Sequence, residues 1–147
     1  MKTVHKSVLI WYSAQEMYGL ITDIAAYPGF LPWCDQARVI EEHADGVTAE
    51  VGIAFAGIHQ RFTTRNRHEP GRSVNIQLVK GPFSRLEGQW LFSPVGDDEE
   101  RACKVTLTLD YGFSSNTLAR LIGPVFDKIA GNLVDAFIKR AQAVHGN

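Results

Sequence analysis

Residues 104–111 read KVTLTLDY, with Val105, Leu107, Leu109 and Tyr111 alternating against Lys104, Thr106, Thr108 and Asp110. A side-chain period of two belongs to a β-strand with one covered face and one wet face. Earlier segments repeat the pattern. Val47, Ala49, Val51, Ile53 and Phe55 alternate with Thr48, Glu50 and Gly52, and Phe62, Thr64 and Asn66 with Arg61, Thr63, Arg65 and Arg67. Val74, Ile76 and Leu78 form the next set, and Leu86, Trp90 and Phe92 the one after. Turn signals separate these runs at Asp45-Gly46, Pro70-Gly71, Gly81-Pro82 and the acidic tip Gly96 to Glu100. The β-branched and aromatic residues 3–12 supply a strand in front, and strand character resumes near residue 36, so the sequence predicts seven strands.

Two helical segments interrupt the strands. Ser13 and Glu16 have the spacing of a capping box, in which each side chain satisfies a free backbone N–H of the other. A short helix with Met17, Leu20, Ile21 and Ile24 on one side should follow, ending near Tyr27 because Pro28 disfavours helical geometry in the residue before it. Ser114 or Ser115 caps a long terminal helix. Its stripe runs through Leu118, Ile122, Val125, Ile129, Leu133 and Ala136, flanked by Leu121, Phe126 and Phe137. Gly123-Pro124 lies inside it and predicts a kink near 120–123, since proline lacks one backbone donor and crowds the carbonyl of Arg120. A seven-stranded antiparallel sheet twists and curls, and an amphipathic helix laid along its concave side closes an α+β structure. The pattern leaves two interiors open: a lined hollow between sheet and helix, or a filled sandwich.

At 147 residues the chain reads as one domain, 1–147. A domain of this size buries roughly 70% of its unfolded surface and needs no metal or disulfide staple. The net charge of −1 excludes a global pull toward nucleic acid or anionic lipid, so any such binding has to come from a local patch. Cys34 and Cys103 form no CxxC and no zinc spacing, and no stretch approaches the ~20 apolar residues of a membrane span. The N-terminus reads as a strand rather than a signal peptide. A reduced, cytoplasmic protein is expected. His5, His43, His59, His68 and His145 form no i, i+4 pair, no serine sits in GxSxG, and no glycine-rich phosphate loop occurs. Asp110 falls on the polar parity of its strand. No catalytic set is present, so the expectation is a non-enzyme without a metal or a required cofactor.

Three local features remain. Segment 59–72, HQRFTTRNRHEPGR, places Arg61, Arg65 and Arg67 on one strand face, where successive same-face positions lie about 7 Å apart. That stripe is either a solvated face that discourages edge pairing or an anion patch for ribosomal RNA or a lipid headgroup surface. Segment 23–34, DIAAYPGFLPWC, gathers Tyr27, Phe30 and Trp33 around Pro28 and Pro32 and reads as a buried loop, a ligand gate or a docking patch. Phe83 follows Gly81-Pro82 in a turn, where burial is not automatic. Cys34 itself reads as an inert small apolar side chain, because nothing nearby lowers its pKa.

Taken as a set, YSAQEMYGLITDIAAYPGFLPWC (12–34), GPFSRLEGQWLF (81–92) and NLVDAFIKRAQAV (132–144) carry a resemblance. The chain resembles the bacterial ribosome-association toxin and coenzyme Q-binding START-domain family, of the polyketide cyclase/dehydrase-like superfamily, nearly end to end. The resemblance implies a helix-grip (START and Bet v 1-like) fold, a curved seven-stranded sheet wrapped around the C-terminal helix with an apolar cavity. It implies ubiquinone or a related polyprenyl lipid as ligand, held by a carrier or chaperone that supports respiratory quinone function. The alternative it carries is a toxin that binds ribosomal subunits and blocks their association. On this reading Tyr27, Phe30 and Trp33 form a stiff lid, and Phe83 stands opposite on the rim. Strand parity assigns Ile53, Phe55, Phe62, Leu78, Trp90, Leu107 and Leu109 to the wall, and the helix adds Ile122, Val125, Ile129 and Leu133. Asn132, at the edge of the helical stripe, is either a solvated residue or a donor to a quinone carbonyl. The expected partners are a hydrophobic lipid, a ribosomal subunit and, transiently, the surface of the inner membrane, to which the protein would be peripheral. An enzymatic pocket is a third reading.

Overall fold

A computed structural model describes residues 2–96 and 101–146. Of the acidic turn, Asp97, Asp98, Glu99 and Glu100 lie outside the described residues. The elements follow the predicted order: β1 (Lys2–Ile10), α1 (Ala14–Thr22), a 3-10 turn (Ile24–Gly29), β2 (Cys34–His43), β3 (Gly46–Phe55), β4 (Ile58–Glu69), β5 (Ser73–Lys80), β6 (Phe83–Pro94), β7 (Cys103–Phe113) and α2 (Asn116–His145). All seven strands join one antiparallel sheet in the order β1-β7-β6-β5-β4-β3-β2. Strands β2 to β7 form a meander of hairpins, and β1 adds to the far side of β7. The β1–β2 connection therefore crosses the sheet from one edge to the other, and α1, packed on β5, β6, β7 and α2, makes that crossing.

Local chemistry accounts for the helix ends. Ser13 Oγ accepts from the Glu16 amide at 3.0 Å, while the Glu16 carboxylate accepts from the Ser13 amide at 2.9 Å. Ser115, not Ser114, caps α2 by accepting from the Leu118 amide at 3.1 Å. Helix α2 runs as one assigned helix through Pro124. The predicted kink does not interrupt it. The β3–β4 hairpin turns on Ala56 (φ 53°) and Gly57 (φ 80°), both in the left-handed region that two-residue hairpin turns require. Ala-Gly lacks the asparagine or aspartate that usually announces such a turn, so the sequence pattern passes over it.

The inward faces pack as two large clusters set apart along the strands. Ile10, Met17, Trp90, Phe92, Val105, Leu107 and Phe137 belong to one, joining β1, α1 and the C-terminal half of α2. Phe83, Leu86, Leu109, Tyr111, Ile122 and Phe126 belong to the other, around the N-terminal half of α2. A small third cluster, Leu31, Cys34 and Val51, sits under the segment after the 3-10 turn. Thr63 and Thr64 are both buried although neighbours on a strand face opposite ways, and beside them a bulge at Val79 of β5 moves the partner from Lys80 to Leu78. Charged pairs tie β1 to α2: Lys2 reaches Asp127, which also accepts from the Tyr111 hydroxyl, and Lys6 pairs with Asp135 at 3.1 Å.

Candidate functional site

The clusters leave space where they meet. An inner chamber of about 110 Å³ is walled by Val51, Phe62, Trp90 and Leu109 from the sheet, and by Phe126, Ile129, Ala130, Leu133 and Phe137 from α2. Tyr27, Leu31 and Trp33 close it from the crossover segment. Outside it, between α2, Phe30, Pro32 and Phe55, runs a larger groove of about 990 Å³. Trp33 and Ile129 line both spaces and so separate them. The interior is packed at both ends and hollow in the middle, which decides between the two arrangements the pattern left open.

The lid owes its position to its own backbone. The amides of Phe30 and Leu31 both donate to the Tyr27 carbonyl, at 3.2 and 2.9 Å, and the Cys34 amide donates to Leu31 at 3.0 Å. The Ala54 amide donates to the Trp33 carbonyl at 2.8 Å, fastening the segment to β3. The Tyr27 hydroxyl donates to the Ile21 carbonyl, and burial pushes its phenol pKa up. Phe137 of α2 meets Tyr27, Phe30 and Trp90 edge-on at centroid distances of 5.5, 5.4 and 5.5 Å, a geometry favoured by the ring quadrupoles. Cys34 and Cys103 are free and buried, and burial pushes both thiols up to about 11, which leaves them unreactive at neutral pH.

The chamber brings together Tyr27, Trp33, Phe62, Trp90, Leu109, Ile129 and Leu133 of the expected site. Others go elsewhere. Phe83 is no rim residue: it is 5% exposed, stacks on Phe113 at 5.3 Å and meets Phe126 at 4.9 Å, because the turn before it folds inward onto the second cluster. Ile53, Leu78 and Ile122 share its cluster and help fill that end, and Leu107 fills the other. Phe30, Phe55 and Val125 line the outer groove rather than the chamber. Asn132 is exposed beside the same groove and donates back to the Lys128 carbonyl at 2.8 Å, so it does not reach the chamber. Sequence reasoning left out Leu31, Thr64, Asn66, Phe126, Ala130 and Phe137, which all line it. The signal for Thr64 and Asn66 was their shared parity with Phe62, and for Phe126 and Phe137 their place beside the helical stripe.

The arginine face is largely paired. Arg65 is bound to Asp45, Arg67 approaches the same carboxylate at 3.7 Å, and only Arg61 has no ion pair among the described residues. Three cations gather instead along the outer groove: Lys128, Lys139 and Arg140. Arg140 lies over the Phe30 ring at 4.9 Å and Lys128 over the Phe55 ring at 5.6 Å, so apolar floor and positive rim are built from the same contacts.

None of the residues lining the chamber is a carboxylate, imidazole or cation, and its polar groups are hydroxyl, amide and indole. Such a lining binds and orients; it holds no acid–base pair. Among the described residues no three His, Cys, Asp or Glu side chains gather at metal-binding distance. Among those residues no helix is long and apolar enough to cross a membrane.

Residues 10–138 match the family described as polyketide cyclase / dehydrase and lipid transport. The chain belongs to this family. Within it, the chain is similar to a protein of Vibrio cholerae named ribosome association toxin RatA, 42% identical with 99% of each chain covered. It is also similar to the mitochondrial coenzyme Q-binding protein COQ10 homolog B of Xenopus laevis, at 26% identity over 96% of this chain and 58% of that one. Among solved structures, an 18 kDa protein of Caulobacter crescentus matches at 31% identity and TM-score 0.76, with each chain fully covered. A START superfamily protein of Mycobacterium smegmatis matches at TM-score 0.72 and 20% identity, covering 93% and 92% of the two chains. The Zhui aromatase/cyclase of Streptomyces reaches TM-score 0.79 at 15% identity, covering 96% and 93%. The last two likenesses show the shared helix-grip fold. The two curated relatives are named as a toxin and a binding protein, not as enzymes.

Proposed function

We propose that this protein acts at the ribosome in the cytoplasm, binding a subunit and interfering with subunit association. The observation that carries the reading is the 42% identity, across 99% of both chains, with a relative named as a ribosome association toxin. The proposed contact is the outward face of β4, where Arg61 stands unpaired among the described residues and Asp45 offsets part of the charge of Arg65 and Arg67. Sucrose-gradient sedimentation of purified ribosomal subunits tests it. Added protein should co-sediment with a subunit, lower the joined fraction and lose binding steeply as salt rises, since each phosphate contact releases counterions. Subunits that join undisturbed, with the protein left at the top of the gradient, refute the reading.

A second reading is favoured by the inner chamber, an apolar hollow that a carrier of a hydrophobic ligand needs. Its ligand would be ubiquinone or a related polyprenyl lipid, with a matching peripheral contact at the inner membrane. The likeness to a coenzyme Q-binding protein supports it. A chamber of about 110 Å³ admits only one end of such a molecule, and the tail would run into the groove of about 990 Å³. Organic extraction of the purified protein followed by mass spectrometry tests this. Stoichiometric polyprenyl quinone is the expected result, and a lipid-free extract from freshly purified protein counts against it.

A further inference from the structure

We infer that Asn66 equips the inner chamber with a carbonyl-reading donor, so that the chamber selects apolar molecules bearing a carbonyl oxygen at the end that enters. This rests on the second reading above, that the chamber holds a guest, and adds what the guest must carry. Thr64 and Asn66 occupy inward positions of β4, are 4% and 7% exposed, and both line the chamber. Thr64 Oγ1 donates to Asn66 Oδ1 at 2.8 Å. That bond uses the single hydroxyl proton and holds the carbonyl side of the amide against Thr64, so the NH₂ group turns the other way.

Among the described residues nothing accepts from Asn66 Nδ2, although the side chain is more than nine-tenths buried. The NH₂ atom itself keeps some accessible surface, as a group bordering the chamber does, and in so apolar a space an acceptor on a guest supplies the partner it lacks. The surroundings offer no charged acceptor to compete for that donor. Carboxylates are absent from the lining, the neutral hydroxyls of Thr64 and Tyr27 already donate to Asn66 Oδ1 and to Ile21, and the indoles of Trp33 and Trp90 carry donors only. A ketone or quinone oxygen satisfies such a site. A hydrocarbon leaves the NH₂ unpaired, whereas an alcohol can accept the same bond and place its own proton on a spare lone pair of Asn66 Oδ1, Thr64 Oγ1 or the Tyr27 hydroxyl, so discrimination against it is smaller. The volume of about 110 Å³ limits what enters to one ring or a short branched end. The rest of a longer molecule leaves past Trp33 and Ile129 into the outer groove.

The test is an NMR titration of the ¹⁵N-labelled protein with acetophenone and with isopropenylbenzene, which replaces C=O by C=CH₂ at nearly the same shape. Both probes should shift backbone signals around the chamber. Only acetophenone should move the Asn66 side-chain NH₂ signal. In Asn66→Leu the ratio of the two dissociation constants should move about five- to tenfold toward the hydrocarbon, the loss of one hydrogen bond. Thr64→Val keeps the shape but frees the amide to turn. It should move the ratio in the same direction and improve 1-phenylethanol relative to acetophenone, which keeps the inference testable if Asn66→Leu does not fold. Both probes binding with an unchanged ratio in the variants overturns the role of Asn66 while leaving the chamber as a guest site. Neither probe binding to the wild-type protein overturns both.

Discussion

Leucine at position 130 should fill the inner chamber with the protein's own atoms. Ala130 is 2% exposed on α2 and lines the chamber beside Phe126 and Leu133. Ala130→Leu adds three carbons, each worth about 0.8 kcal/mol when buried, and leucine is nearly as good a helix former as alanine. In a solid core the same change overpacks and costs about 1–3 kcal/mol. With about 110 Å³ available to receive the side chain, gain and residual strain should nearly cancel, leaving stability within about 1 kcal/mol of wild type. Urea unfolding reads this as a nearly unchanged midpoint with an unchanged slope. Acetophenone affinity should fall at least tenfold in the same protein. A loss above about 2 kcal/mol would show that the space is not there to be filled. Because no residue of the β4 outer face is touched, any ribosome binding should survive, so the variant also separates the two functional readings.

The remaining predictions probe the frame around the site. Arg101 donates two hydrogen bonds of 2.7 Å to the Glu16 carboxylate, and this pairing outweighs burial and brings the Glu16 pKa from 4.5 down to about 2. A depressed acid contributes stability that is complete above its unfolded pKa and is lost as pH falls through the folded one. Glu16→Gln should therefore cost about 1–2 kcal/mol at pH 7 after solvent screening, and the difference should shrink between pH 4.5 and 2 in urea melts. Ala56→Gly should stabilise the β3–β4 hairpin by about 0.5–1 kcal/mol, read as a raised melting temperature, since relief of a left-handed alanine exceeds the added unfolded-chain entropy. Phe137→Leu removes ring contacts to Tyr27, Phe30 and Trp90 and should cost about 2–3 kcal/mol. Hydrogen exchange at the Leu31 and Cys34 amides should quicken most, because those bonds hold the lid.

Most of the fold is legible from periodicity and caps. The alternation at 104–111 becomes β7 with Val105, Leu107, Leu109 and Tyr111 all buried, and the Ser13/Glu16 box opens α1 as its spacing predicts. Less of the site is legible. Parity names the face of Leu107 and Leu109 correctly, yet two residues of travel along β7 put one in a packed cluster and the other against the chamber. Phe83 and Phe62 sit in similar sequence settings as aromatic residues at strand beginnings and interiors, and their rings meet at 5.7 Å, but only Phe62 reaches the hollow. The charge of the β4 face was equally out of reach, since Asp45 lies 20 residues from Arg65 and meets it through the β3–β4 pairing.

From the chain alone come the seven strands, the two helices, their order and the inward face of each, because backbone geometry couples those properties to neighbours within a few residues. Where the interior stays open, which inward side chains border it, and that Asn66 is among them with its Oδ1 held by Thr64 were decided only by assembly. Packing is a contest among residues from β3, β4, β6, β7, α2 and the lid at once, and no local pattern records which of them meet.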